Sequence, residues 1–271
     1  MPHLGVCSWS LRPSGPAQLV EAIHACGLHA VQLALDPIRT GDWSLDETRR
    51  RLENAGIRIL SGMMAMKGED YSTLESIRDS GGVRPDSTWP DNLDAAHANA
   101  DLADRLGLDL VTFHAGFLPH EPRDPLRAVM IDRLHRLADV FAQRGVRVAF
   151  ETGQESAQTL LGVLTQLQGR CGVNFDPANM LLYGMGDPVA ALRTLGPHVL
   201  QVHVKDATPS PVPGRWGTET VVGFGAVDWS SFFSVLRQVA PDANLVIERE
   251  AGPSRVDDIR HAVAFVESFL G

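Results

Sequence analysis

Four stretches decide the fold: VRVAFE (146–151), CGVNFD (171–176), HVLQVHV (198–204) and ANLVIE (243–248). Each contains a short continuous apolar run rather than an alternating one, the pattern of a parallel strand covered on both faces. Toward the N-terminus similar runs occur at 3–9 (HLGVCSW), 29–35 (HAVQLAL), 57–65 (IRILSGMMA) and 108–114 (LDLVTFH). Between them lie amphipathic stretches of helical spacing, clearest at 16–26, 45–56, 92–107, 125–145 and 253–271. Gly27, Gly56, Gly107 and Gly145 each stand between a helical stretch and the next run, where a left-handed cap ends a helix. Eight strands, each followed by a helical stretch, predict a parallel α/β fold. Eight such units favour closure into a single (β/α)8 barrel over residues 1–271, with an open doubly wound sheet as the alternative.

Composition fits that reading and narrows the function. Charged residues make up 21% of the 271 residues, and 33 acidic against 24 basic side chains give a formal charge of −9. With no basic run to neutralise phosphates, the sequence argues against a nucleic-acid partner. Three cysteines, Cys7, Cys26 and Cys171, are far apart and form no CxxC pair, which argues against a disulfide framework and a structural zinc knuckle. The first residues lack the charged and apolar regions of a leader, and no apolar run is long enough to span a bilayer. The expectation is a cytoplasmic protein without membrane contact.

The chemistry lies at the strand ends. Glu151, Asp176, His203 and Glu248 stand at or near the C-terminal ends of the fifth to eighth strands, where side chains of neighbouring barrel strands can converge. A single charged strand end is ordinary, but four in succession point to a shared cation, since clustered carboxylates would otherwise repel. Three carboxylates and an imidazole favour Mn2+ or Mg2+, with Co2+ or Zn2+ admitted by the histidine. Glu250 competes with Glu248, because two residues along a strand return to the same face. Glu248 is preferred because it directly ends the run ANLVI. Two long connections, 66–91 and 205–227, follow the third and seventh strands at the same end of the barrel and are expected to form lids or pocket walls.

FETGQES (150–156), NFDPANM (174–180), QVHVKD (201–206), GFGAVDW (223–229) and VIERE (246–250) together resemble the xylose isomerase-like TIM barrels, the superfamily of sugar isomerases, epimerases and type-IV AP endonucleases. The resemblance covers essentially the whole chain and is nearest to the single-metal ketose 3-epimerase branch. It implies one divalent ion held by Glu151, Asp176, His203 and Glu248, with Glu151 and Glu248 also serving as the acid/base pair on a sugar substrate. Enolisation next to the carbonyl would then pass through an enediolate. The strand-3 end GMMAM, Asn179 in place of a histidine, and GAVDW without an Asp-x-His pair lack what the trinuclear nuclease site of that superfamily uses.

Further residues are candidates for the substrate. His114 ends the fourth strand. Asn179 could bind a sugar hydroxyl, and Glu155 could contact one or simply mark a helix start. Trp9 and Gln32 stand near the ends of the first two strands, where they could line a sugar pocket. Arg215 lies in the connection after the seventh strand, in the region where many barrels bind phosphate. For Lys205, Asp206 and Arg215 a solvated position is the default. Two other functions fit the same residues: a metal-dependent lyase or dehydratase on a keto-sugar, keto-glycoside or keto-inositol, and a non-catalytic sugar-binding barrel. Exposed barrel helices leave room for a homo-oligomer.

Overall fold

A computed structural model describes residues 2–270. Ten strands are present among the described residues: β1 (Leu4–Cys7), β2 (Ala30–Ala34), β3 (Arg58–Met63), β4 (Leu110–Phe113), β5 (Arg147–Glu151), β6 (Cys171–Phe175), β7 (Val199–Val204), β8 (Asp206–Thr208), β9 (Thr218–Thr220) and β10 (Asn244–Ile247). Eight of them close into a parallel barrel in the order β1-β10-β7-β6-β5-β4-β3-β2. The expected barrel is therefore what forms, and the open sheet is excluded. The eighth barrel strand is β10, because β8 and β9 make a small antiparallel hairpin within the connection after β7.

The barrel closes where β1 pairs with β10, in the register Leu4↔Leu245, Gly5↔Val246 and Val6↔Ile247. Helices Pro16–Ala25, Leu45–Asn54, Trp89–Arg105, Pro125–Ala142 and Arg255–Leu270 occupy the expected helical stretches to within a few residues at their ends. The four interrupting glycines have φ between +66° and +76°, the left-handed conformation that a side chain disfavours. Helices Ala157–Gln166, Pro177–Tyr183, Pro188–Leu195 and Trp229–Val239 complete the second half. Asp176 caps one of these, its Oδ1 accepting from the backbone N–H of Asn179 at 2.9 Å.

Valines and phenylalanines of the strands, such as Val31, Val111, Phe113 and Phe175, are fully buried. One part of the interior is polar. Gln32, Ser61, Thr112, Asn174 and Gln201 are all completely buried and bonded in two groups that meet at His203 Nε2: Gln32 Nε2 donates to Thr112 Oγ1 (2.7 Å), while Ser61 Oγ donates to Gln201 Oε1 (2.6 Å) and Gln201 Nε2 to Asn174 Oδ1 (3.2 Å). Burying amides without partners would be costly, so this group is stable only as a mutually bonded set.

The two long connections are both structured. Residues 66–91 contain the helix Leu74–Ser80, opened by a capping box between Thr73 and Ser76. Residues 205–227 fold around Asp206, which is buried. Its Oδ2 accepts from the N–H groups of Gly223 and Gly225 and from Trp229 Nε1, while Oδ1 accepts from Ala207 and Val227. Gly225 packs so closely on this carboxylate that a Cβ has no room. Asp206 is therefore the internal anchor of the connection, not the solvated residue expected from sequence.

Candidate metal centre

Glu151 is the last residue of β5, Asp176 and Glu248 directly follow β6 and β10, and His203 lies within β7. One donor atom from each lies within 4.8 Å of the other three. All four residues are buried, His203 and Asp176 completely. His203 Nδ1 lies 3.3 Å from Glu151 Oε1, 3.4 Å from Glu248 Oε2 and 3.9 Å from Asp176 Oδ2. The expected quartet is thus brought together, and Glu248 rather than Glu250 belongs to it.

The layer beneath fixes how the histidine is presented. His203 Nε2 is 2.7 Å from Gln32 Oε1, and the amide of Gln32 is held in that orientation by its bond to Thr112. When Nε2 donates to Gln32 Oε1, Nδ1 turns its lone pair toward the carboxylates; Asn174 Nδ2 also lies 3.0 Å from Nε2. His203 Nδ1 and Asp176 Oδ2 are buried and without hydrogen-bond partners. Two orphaned acceptors facing two further carboxylates are what a divalent cation satisfies, and the donor set suits a hard or borderline ion. Cys7, His203 and Glu248 also lie close enough to hold an ion. Burial pushes the Cys7 thiol far up, which disfavours a thiolate ligand there, so the carboxylate quartet is the better site.

Electrostatics divides the carboxylates. Burial opposes ionisation of Glu248, but the Lys205 ammonium and the His203 ring overcome it and hold that carboxyl well below the usual range. Glu151 is lowered in the same way: burial opposes ionisation, and His114 and His203 outweigh it. Asp176 goes the other way, raised well above its ordinary value by burial; Glu248 and Glu151 add to the rise against the pull of Lys205.

Above the quartet opens a cavity of about 510 Å3. Glu151 and Glu248 line it together with Trp9, His114 and Asn179. Trp9 Nε1 donates to Glu248 Oε1 (2.7 Å), and Asn179 Nδ2 donates to Glu151 Oε1 (2.8 Å). His114 Nε2 is 3.8 Å from Glu151 Oε1. Both long connections supply walls, with Glu69 and Tyr71 from one and Trp216 and Glu219 from the other. Tyr183 stacks edge-on against Trp216, with ring centroids 4.7 Å apart.

Three candidates fall elsewhere. Gln32 is completely buried beneath the site and acts on His203 instead of lining the pocket. Glu155 precedes the helix Ala157–Gln166, is buried outside the cavity lining, and has its carboxyl pushed up to about 8 by burial. Arg215 is exposed, in a separate groove with Ser72 and Thr73, because the hairpin turns that part of the connection outward.

Sequence reading missed Lys205, which is buried and lines the cavity. It also missed Glu219, whose Oε1 accepts from Arg249 Nη1 (2.7 Å) and from the N–H of Glu250 (3.0 Å), fastening the hairpin to the end of β10. A signal for Lys205 existed: it stands two residues after His203, on the same side of an extended chain. Glu219 gave none, since its place depends on how the connection folds back.

A family model for the xylose isomerase-like TIM barrel matches residues 20–269. The chain belongs to that family. Among solved structures it is similar to a xylose isomerase domain protein from Planctomyces limnophilus, with 28% identity, a TM-score of 0.89, and 99% of this chain and 96% of that one covered. An L-ribulose 3-epimerase shares the fold at 15% identity, with a TM-score of 0.76 and coverage of 100% and 95%. A curated relative, an inosose dehydratase from Clostridium botulinum (strain Alaska E43 / Type E3), is 22% identical over 151 residues, spanning 50% of this chain and 51% of its own length. Family members include sugar isomerases, epimerases and dehydratases. No described helix is long and apolar enough to cross a membrane.

Proposed function

We propose that this protein is a divalent-metal-dependent isomerase or epimerase that moves a proton at a carbon next to the carbonyl of a sugar or sugar derivative. The observation that carries the reading is the convergence of Glu151, Asp176, Glu248 and the unpartnered His203 Nδ1 beneath a cavity lined by both glutamates. When bound, the ion supplies positive charge to the substrate's carbonyl oxygen and so acidifies the adjacent C–H; Mn2+ or Mg2+ suits the donors best.

The roles of the four residues follow from where they face. Asp176 and His203 lie outside the cavity lining and are tied to the fold, through the helix cap and Gln32 respectively. They are holding residues. Glu151 and Glu248 reach the cavity from two well-separated strands, so one carboxylate takes the proton and the other returns one from the other side. Asn179 and Trp9 each fix one of these glutamates by a short hydrogen bond.

A dehydratase is the second reading. It is favoured by the similarity to inosose dehydratase and by the Lys205 ammonium beside Glu248, an N–H donor suited to a departing hydroxyl. Incubation of the Mn2+-loaded protein with a panel of ketoses and keto-inositols in D2O tests both. Deuterium at the carbon beside the carbonyl with inverted configuration supports the epimerase, and an ultraviolet-absorbing unsaturated ketone supports the dehydratase. Intact, unexchanged compounds across the panel would overturn both and leave a binding barrel.

A further inference from the structure

Lys205 is surrounded by oxygen. Its Nζ donates to Glu250 Oε2 at 2.7 Å and Glu248 Oε2 at 2.9 Å, and lies 3.4 Å from Asn179 Oδ1 and 4.0 Å from Asp176 Oδ2. The side chain is 3% exposed. Three carboxylates and an amide oxygen about one buried point resemble the surroundings of a hard divalent ion more than those of a simple ion pair. Two of these oxygens are shared. Glu248 Oε2 and Asp176 Oδ2 also face His203 Nδ1, so they stand between the metal quartet on one side and the ammonium on the other.

We propose that the Lys205 ammonium occupies the place of a second divalent cation and thereby keeps the centre mononuclear. The inference rests on reading the quartet as a metal site. Charge supports it. Glu151, Asp176, Glu248 and Glu250 carry four negative charges, and one divalent ion with one ammonium leaves a single negative charge uncompensated. Without the ammonium the same oxygens hold two more negative charges than one divalent ion neutralises, and they surround the space that Nζ has left. Glu248 Oε2 is placed to bridge two ions, with Glu250 as the private ligand of the second.

The substitution has a consequence for substrate. An ammonium has three N–H groups, and two are directed at Glu248 and Glu250. The third has only Asn179 Oδ1 at 3.4 Å, beyond good hydrogen-bond length, and Lys205 lines the cavity. That long contact is one a substrate oxygen could replace. The pocket then offers one exchangeable cation and one covalently fixed cation that cannot be lost to chelation.

The test is metal stoichiometry, using full-length wild-type protein, Lys205→Ala, Lys205→Gln and the double variant Lys205→Ala/Glu250→Gln. Each is stripped of metal, dialysed to equilibrium against Mn2+, and measured by elemental analysis and electron paramagnetic resonance. Wild type is expected to hold one Mn2+ per chain with the six-line spectrum of an isolated ion. Lys205→Ala is expected to hold two with a spin-coupled spectrum, and the double variant to return to one. Lys205→Gln replaces the ammonium by a neutral side chain with an oxygen ligand and covers the case in which the alanine variant does not fold. A single isolated ion in whichever of the two single variants folds overturns the proposal, as does a second ion in wild type. A wild-type chain that takes up no Mn2+ overturns the metal centre itself and this inference with it.

Discussion

The two halves of the barrel rim are built for different work. The half from β5 to β10 carries the whole quartet, with Lys205 and Asp206 directly after β7, all of it buried and fixed to strand ends. The half from β1 to β4 contributes walls: Trp9, Glu69 and Tyr71 reach the cavity from the segments after β1 and β3, and Tyr71 is 43% exposed. The walls are held by more exposed contacts, such as Glu69 Oε1 on the N–H of Gly82 and the Thr73–Ser76 cap. The quartet is thus confined to one rigid half, while the walls come from both halves, Trp216 and Glu219 entering from the connection after β7. Catalytic groups on strand ends lose little precision when loops change.

Substitutions should divide along the same line. Glu151→Gln or Glu248→Gln in the chemical half is expected to lower solvent deuterium exchange by about 10²–10⁴-fold with an unchanged circular dichroism spectrum. Near-wild-type exchange in both variants would remove the acid/base pair. Asp206→Ala strands five N–H donors and is expected to destabilise the fold by about 3 kcal/mol, read as a lowered unfolding midpoint in urea.

Gln32 is where the division is breached, since it belongs to β2 yet orients His203. Gln32→Leu is expected to weaken Mn2+ binding by about 10–100-fold by calorimetry, although the residue touches neither ion nor substrate. An unaltered affinity would show that the histidine is oriented by something else. Acid should also loosen the ion. Burial raises the Asp176 carboxyl well above the usual range, so protons compete with the cation there and affinity is expected to rise with pH. Calorimetry in buffers of different ionisation enthalpy should detect proton release on Mn2+ binding. The smallest effect belongs to the wall: Tyr71→Ala is expected to raise KM about fivefold with kcat nearly unchanged. A large fall in kcat would mean that the walls take part in the chemistry.

The contrast also explains what could be read from the sequence. Glu151, Asp176 and Glu248 each end an apolar run, and His203 stands one residue from the end of its own, so a barrel of consecutive strands suffices to bring them together. Gln32 stands inside such a run, HAVQLAL, where position alone does not distinguish an inward amide from one reaching the rim. Arg215, Asp206 and Glu219 lie in a connection whose path is set by contacts among its own residues, and no periodicity encodes a path of that kind. Lys205 was legible in principle, because His203–Lys205 and Glu248–Glu250 are pairs two residues apart at the ends of neighbouring strands. Treating charged loop starts as solvated hid it.

The seam between β1 and β10 gives the metal centre a place in the life of the chain. A nascent polypeptide that has left the ribosome through β7 already carries Glu151, Asp176 and His203, but the fourth donor follows the strand that shuts the barrel. Trp9, which steadies Glu248, comes from just beyond the other lip of that seam. The proposed cation site is therefore completed by the same strand pairing that closes the barrel.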